Sequence, residues 1–432
     1  MVVAFAAAVA LGALLLALPV ARSGGGSAPL LVALFTATSA VCVTGLVVVD
    51  TPSYWSAFGE FVILLLIQVG GFGIMTLASL LALLVSRRLG LSTRLTAQAE
   101  TRTLGLGDVR QVLRGVALAS ILFEGTGALL LFLRLWTSYE ESVGQAAYHG
   151  VFHSVSAFNN AGFALYSANL IAFVGDPVVC LTIAVSVIAG GLGFPVLFEL
   201  RRAPTKPRLW SLHTKITVGA TFVLLVGGTL MITAIEWGNP ATLGSLSVPG
   251  KLLAGFFQGT MPRTAGYNSV DYAQMDDATW LVTDVLMFIG GAPASTAGGI
   301  KVTTFALLGF VILAEARGAQ AVNVAGRRLP ANLQREAVSV ALLGVAGVVV
   351  PSFVLLLVTD FALDRVLFEA ASAFGTVGLS TGITADLPPA GQLVLVAVMF
   401  MGRLGPVTLA AALALRRRPV LYRLPEERPI VG

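Results

Sequence analysis

Four glycines, Gly45, Gly162, Gly266 and Gly378, each close a short stretch built to one plan. Ten residues before each stands a phenylalanine: Phe35, Phe152, Phe256 and Phe368. Six residues before each stands a hydroxyl: Ser39, Ser156, Thr260 and Ser372. One residue after each comes a bulky side chain: Leu46, Phe163, Tyr267 and Leu379. The glycines are 117, 104 and 112 residues apart. A recurring period with several fixed offsets marks an internal repeat, and a repeat constrains a fold more than any single motif does. The stretches are moderately apolar but too short to cross a bilayer, which takes about 20 residues. Each can enter a membrane and turn back on its glycine, whose backbone freedom lets successive carbonyls point one way.

A membrane is the setting that composition requires. Hydrophobic residues make up 56% of the chain and charged residues 11%, against about 25% charged in soluble domains. Nucleic acid is therefore not the expected partner, despite a net charge of +5. Cys42 and Cys180 fall in separate apolar segments, which predicts neither a disulfide nor a metal site. The first 20 residues lack the basic start of a signal peptide and read as a membrane helix.

In order, the chain reads as four tandem copies of helix, re-entrant pore loop, helix, an all-α membrane protein with eight transmembrane helices plus four re-entrant pore helices in pseudo-fourfold arrangement. The expected boundaries are 1–91, 92–202, 203–318 and 319–432, the last including a cytoplasmic tail. Apolar runs place membrane helices at 2–20, 55–88, 112–136, 174–200, 216–237, 337–358 and 393–415. The third copy closes instead on the unusual segment 280–316, read as a broken helix.

Basic residues set the orientation. The segments joining one copy to the next, with the tail, hold 20 of the 27 lysines and arginines, so these faces, and both termini, are expected in the cytoplasm. The loops beside the pore helices are acidic: Asp50, Glu140, Glu141, Asp176, Asp271 and Asp276 are examples. Trp55, Trp136, Trp237 and Trp280 read as an aromatic belt at the outer ends of helices. Each copy crosses twice, so all four share one orientation and can close around an axis. The acids of the outer loops would then concentrate cations there.

The last copy's Thr376-Val377-Gly378-Leu379 is similar to the start of a potassium-channel filter, where carbonyl oxygens replace the ion's hydration shell. The matching pieces are Val43-Thr44-Gly45, Asn160-Ala161-Gly162, Thr264-Ala265-Gly266 and Thr376-Val377-Gly378. To these add Ser295-Thr296-Ala297-Gly298-Gly299-Ile300-Lys301 and Gly402-Arg403-Leu404-Gly405-Pro406. With them the whole chain resembles the TrkH/KtrB family of bacterial potassium transporters, and it is more similar to KtrB because it starts directly in the first copy. The resemblance implies potassium uptake across the inner membrane, with the backbone carbonyls of those twelve loop residues as potassium ligands. It also implies a homodimer in membrane lipid, and a cytosolic nucleotide-binding regulatory ring of the RCK type (KtrA/TrkA-like). The regulatory nucleotide would sit on that separate subunit, leaving potassium as substrate and no cofactor on this chain. None of the four loops carries a full Thr-Val-Gly-Tyr-Gly, so selectivity for potassium over sodium is less firmly implied than permeation of monovalent cations.

A gate is expected in the third copy. Gly290-Gly291-Ala292-Pro293-Ala294-Ser295-Thr296-Ala297-Gly298-Gly299 has no large side chain. Glycine and proline there lower helix stability by about 1 and 3 kcal/mol each relative to alanine. Non-helical backbone at membrane depth persists only when buried in protein or lining a water-filled cavity. The segment is expected to cross the pore inside the filter, with Lys301 behind it and Arg403 opposing cations at the same depth. Related glycines occur at Gly70-Gly71-Phe72-Gly73 and Gly190-Gly191-Leu192-Gly193.

Four further groups stand out. His149 and His153 have the spacing of a metal pair but no third ligand nearby, which favours polar contacts of a pore helix. Glu124, Glu199 and Glu369 lie in or at the ends of apolar segments, where ionisable groups are costly. Glu369 is expected to bond behind the filter and Glu199 to pair with Arg201. No nucleophile–base pair or phosphate loop occurs, so the chain does not read as an enzyme. The alternative function is a secondary active sodium/potassium transporter, in which broken helices surround a midplane site.

Overall fold

A computed structural model describes residues 2–87 and 109–415, with side chains described for 2–76 and 113–405. The expected boundary at 91/92 and the basic tail from Arg416 onward lie outside the described residues.

Among the described residues the fold is an all-helical bundle of membrane spans, apart from a two-stranded ribbon that pairs Asn323–Val324 with Arg327–Arg328. Among the described residues, four helices are long and apolar enough to cross a bilayer, within Ala57–Thr76, Leu113–Ser138, Leu212–Glu236 and Ala331–Val358. Their outer faces expose Ile121, Leu122, Phe222, Val223, Leu342, Phe353 and Leu357, as a lipid-facing surface would. Shorter apolar helices run over Val2–Leu16, Leu30–Cys42, Val302–Ala316 and Pro389–Gly405.

Four helices end at the glycine loops: Leu30–Cys42, Val143–Phe158, Val248–Thr260 and Leu363–Gly375. Ser142 and Ser247 start two of them, each accepting the backbone N–H three residues on, which meets donors that a helix N-terminus leaves free. Each loop helix packs on the helix before it in its own stretch and on one from the stretch before. Val143–Phe158 touches Ala57–Arg87, Val248–Thr260 touches Pro177–Leu192, and Leu363–Gly375 touches Asp277–Phe288. The circuit closes where the last helix, Pro389–Leu415, packs on the first loop helix, Leu30–Cys42.

Three sequence expectations are corrected. The helix expected over 174–200 is two, Pro177–Leu192 and Phe194–Arg202, bent by 102°. The bend sits at Gly193 (φ 80°, ψ 148°), backbone that disfavours a side chain, followed by Pro195 at the start of the new helix. Of the four tryptophans expected in an aromatic belt, Trp136 and Trp237 are exposed, but Trp55 and Trp280 are core residues. Trp280 is drawn inward because its indole N–H donates to Tyr272 O at 2.7 Å. Glu199 takes the backbone N–H of Ser211 at 2.5 Å and the hydroxyls of Ser211 and Thr214 rather than Arg201. Those bonds fasten the end of the bent pair to the start of Leu212–Glu236.

Candidate functional site

The four loops meet. Two residues before each glycine the backbone turns left-handed: Val43 (φ 56°), Asn160 (φ 58°), Thr264 (φ 68°) and Thr376 (φ 50°). The glycines follow at φ 91°, 70°, 70° and 96°. A non-glycine residue in that region is strained and needs surroundings that impose it. Here the imposing bonds are local. The N–H of Thr44, Ala161 and Val377 each return at 2.8 Å to the carbonyl five residues back. In the third loop Ala265 N returns to Met261 O at 3.0 Å.

The glycines form a closed ring. A Cβ added to Gly45 would overlap the carbonyl oxygen of Ala161, and one on Gly162 would lie 2.8 Å from that of Ala265. A Cβ on Gly266 would overlap the carbonyl of Val377, and one on Gly378 that of Thr44. First touches second, second third, third fourth, and fourth first. Such contacts seat the backbones of the four loops against one another without a side chain between neighbours.

The other repeated positions hold the ring from behind. Leu46, Phe163, Tyr267 and Leu379 are all buried, as are Ser39, Ser156, Thr260 and Ser372. The hydroxyls work in two ways. Ser39 Oγ and Ser372 Oγ accept the N–H of Gly45 and Gly378 at 3.0 and 3.1 Å. Ser156 Oγ donates forward to Phe163 O at 2.9 Å, and Thr260 Oγ1 donates back to Phe256 O at 2.8 Å. Glu369, fully buried, takes the hydroxyls of Ser380 and Thr384 and the N–H of Thr381, which pins the chain leaving the fourth loop.

Against the ring lies the glycine-rich segment, and it is not helical. Helix Asp277–Phe288 stops, and Val302–Ala316 begins after a loop closed at its base. Gly290 N donates to Ile300 O at 2.8 Å and Val302 N to Gly291 O at 3.0 Å. The loop docks on the bend of Pro177–Leu192: Ala292 N reaches Gly191 O at 2.9 Å and Phe194 N reaches Ala294 O at 3.3 Å. Thr296 Oγ1 lies 2.8 Å from the side-chain amide of Asn160, and Gly298 abuts the side chain of Thr376. Residues 295–300 are buried.

Two cations grip this loop. Arg403, 2% exposed, donates to Thr296 O and, at 3.2 Å, to Gly70 O. Lys301 Nζ donates to Ala297 O at 2.6 Å. Both satisfy backbone carbonyls, and among the described residues neither has a carboxylate within ion-pair distance.

The remaining glycine clusters divide. Ala57–Arg87 and Pro389–Leu415 run unbroken through Gly70–Gly73 and Gly402–Gly405. There a Cβ on Gly70 or Gly402 would overlap the carbonyl of Val41 or Phe374 at the end of a loop helix. Their smallness serves close packing behind the ring. The histidines serve packing too. His153 Nδ1 bonds His149 O at 2.7 Å and its Nε2 accepts Leu165 N–H at 3.1 Å, while His149 Nδ1 faces Glu141 and Tyr166.

The loop-to-carbonyl contacts of the ring were not legible in the sequence. Nor were the partners of Glu124. It meets Gln68 and Asn159, and their spacing in the chain gives no sign of it.

Comparison with known proteins agrees with this architecture. The family model described as TrkH, cation transport protein, matches residues 12–417. The Ktr system potassium uptake protein B of Bacillus subtilis is 39% identical over 95% of this chain and 92% of its own length. That of Vibrio alginolyticus is 40% identical, over 97% and 91%. The potassium/sodium uptake protein NtpJ of Enterococcus hirae is 33% identical, over 98% and 94%. The crystal structure of the potassium transporter TrkH from Vibrio parahaemolyticus superposes with a TM-score of 0.71 at 20% identity, covering 98% of this chain and 84% of that one.

Proposed function

The chain belongs to the TrkH family of cation transport proteins, and on that premise we propose that it is the channel-like, ion-translocating subunit of a potassium uptake system. The observation that carries the reading is the closed ring of four left-handed loops. The filter is that ring, and its ligands are the backbone carbonyls of Val43, Thr44, Gly45, Asn160, Ala161, Gly162, Thr264, Ala265, Gly266, Thr376, Val377 and Gly378. Carbonyl dipoles at fixed separation replace the water that a potassium ion sheds on entry. The four stretches 1–91, 92–202, 203–318 and 319–432 are the repeats, giving eight crossings and four re-entrant helices. The basic joining segments and both termini face the cytoplasm.

The loop from Gly290 to Gly299, with Lys301, is the gate. It lies against Asn160 and Thr376, so ions leaving the ring meet it. Arg403 holds it shut in two ways, by its bonds to Thr296 O and Gly70 O and by its charge on the ion path. Arg403→Ala is expected to raise potassium flux by about fivefold, the rate equivalent of about 1 kcal/mol. Flux through reconstituted vesicles checks it; an unchanged rate in a protein that still inserts removes Arg403 from the gate.

Homodimerisation and a cytosolic RCK-type nucleotide-binding ring complete the proposal. They rest on the family resemblance, with the basic joining segments as the surface such a ring would meet. Copurification from native membranes in several nucleotide states tests them, and recovery of the chain with no soluble nucleotide-binding subunit in any state counts against the ring.

The second reading, a secondary sodium/potassium transporter, draws support from the relative whose name couples both ions. Potassium-limited growth of a transport-deficient host separates transport from none. Flux then separates the two readings: channel-like uptake follows the potassium gradient alone, whereas obligatory coupling stops when sodium is withdrawn.

A serine difference gives a further expectation. Ser372→Ala removes a bond to the ring's Gly378 N–H and should weaken apparent potassium affinity several-fold, about 1 kcal/mol. Thr260→Ala, whose hydroxyl returns to its own helix, should leave affinity near that of the parent. Equal losses in concentration-dependent uptake would contradict this account of the brace.

A further inference from the structure

Glu124 takes no part in the ring, its braces or the loop against it. It lies midway along the apolar stretch Leu113–Ser138, where an ionised group is expensive and a structural neighbour is needed. Among the described residues it has no basic side chain within ion-pair distance. Its partners are amides. Gln68 Nε2 donates to both carboxylate oxygens at 3.2 and 3.3 Å. Asn159 Nδ2 reaches Glu124 Oε1 at 3.1 Å, Gln68 Oε1 at 2.8 Å and Val155 O at 2.9 Å. Ser154 Oγ donates to the backbone carbonyl of Glu124 at 2.6 Å, tying the same helix to the loop helix a second time. Glu124, Gln68 and Asn159 thus close a triangle between two long helices and the end of Val143–Phe158.

The third corner is what matters. Asn159 is 1% exposed and caps that helix, and the next residue is the left-handed Asn160 of the ring. Gly71 makes room for it, since a Cβ there would overlap Asn159 Oδ1. The second loop also lacks the serine brace of the first and fourth: Ser156 donates forward to Phe163 O instead of receiving the N–H of Gly162. The third loop, which lacks that brace too, has Arg263 at the position of Asn159, anchored on Thr221 of the neighbouring helix at 3.3 and 3.4 Å. The two loops in which no hydroxyl receives the glycine N–H are the two in which the residue three before the glycine, Asn159 or Arg263, reaches a distant helix.

We propose that Glu124 is a positioning residue for ion selectivity: with Gln68 it locks Asn159 and so fixes the second loop of the ring. The proposal rests on the filter reading above. Its lever is hydrogen-bond acceptance, not charge. The isosteric Glu124→Gln keeps an acceptor for Asn159, whereas Glu124→Ala removes it and frees the cap.

The test measures potassium over sodium permeability by the full-length protein in vesicles. Glu124→Ala and Asn159→Ala are each expected to lower the ratio about tenfold, equivalent to about 1.4 kcal/mol. Maximal potassium flux should change far less, and Glu124→Gln should restore the ratio to near the parent value. The double variant should be no worse than either single one, because both remove one unit. Gln68→Met is read in the same assay and should shift the ratio in the same direction, which keeps the question open to test if Glu124→Ala fails to insert. An unchanged ratio in the alanine variants, an equal loss in Glu124→Gln, or additive effects in the double variant would each overturn the proposal. A parent protein that conducts no potassium would instead sink the filter reading itself, and that result is separate from these.

Discussion

Removal of residues 292–297 should raise potassium flux about tenfold or more, since each 1.4 kcal/mol off a barrier is a factor of ten in rate. The expectation comes from where the loop sits and how it is held. Its base is independent of its tip, through Gly290 N to Ile300 O and Val302 N to Gly291 O. The tip alone carries the docking bonds to Gly191 and Phe194, the contact with Asn160 and the carbonyl that Arg403 grips. Taking out the tip therefore removes the obstruction and its latch while leaving the flanking helices Asp277–Phe288 and Val302–Ala316 in place. Opening in the intact protein would break the same bonds. One of them, from Arg403 to Thr296 O, has an ionised donor, and such a bond contributes about 1.5–3 kcal/mol. Stopped-flow uptake into vesicles reads the rate. A shortened protein that inserts and binds potassium normally, yet conducts no faster than the parent, contradicts the gating role.

Gly378→Ser should have the opposite sign and comparable size. At φ 96° a side chain is strained by about 1–3 kcal/mol. The new Cβ would also overlap the carbonyl oxygen of Thr44, one of the proposed ligands in the adjoining loop. The ring must then widen on the side where the fourth loop meets the first, and a widened ring suits the larger hydration of sodium no worse than it suits potassium. Potassium affinity should fall about tenfold or more, by the same factor of about 1.4 kcal/mol per decade, with sodium rejection lost alongside it. Affinity from concentration-dependent uptake and selectivity from competing sodium give the two readings. Unchanged values for both would mean that the fourth loop is no filter.

Much of this architecture is legible in the chain because it repeats. One glycine motif means little, but Phe35, Ser39, Gly45 and Leu46 with three sets of counterparts locate the loops, and the left-handed turns fall where those offsets place them. Gly290–Gly299 was legible for another reason: four glycines and Pro293 within ten residues lower helix stability there. Other features are set by tertiary contact and leave little trace in local sequence. Gly190–Gly193 breaks its helix while Gly70–Gly73 and Gly402–Gly405 do not, and what distinguishes them is a left-handed Gly193 followed by Pro195 rather than the number of glycines. Trp55 and Trp280 stand at helix ends, as belt residues do, but both are buried, and their contacts include residues distant in the chain, Ser23 for Trp55 and Phe368 for Trp280. The roles of Ser39 and Ser156 differ although their offsets match, because a hydroxyl donates or accepts according to which backbone group the loop brings within reach. The triangle of Gln68, Glu124 and Asn159 joins three segments that no spacing rule connects.

The central claim is that four loops form one ion-binding ring. Rubidium scatters anomalously and stands in for potassium, so crystals of the protein grown in rubidium chloride locate the ions directly. The account predicts anomalous density on the axis of the ring, bounded by carbonyls of residues 43–45, 160–162, 264–266 and 376–378, and lost in Gly378→Ser. Density confined to a site away from that axis, or ring carbonyls with no ion between them in a protein that transports potassium, would contradict it.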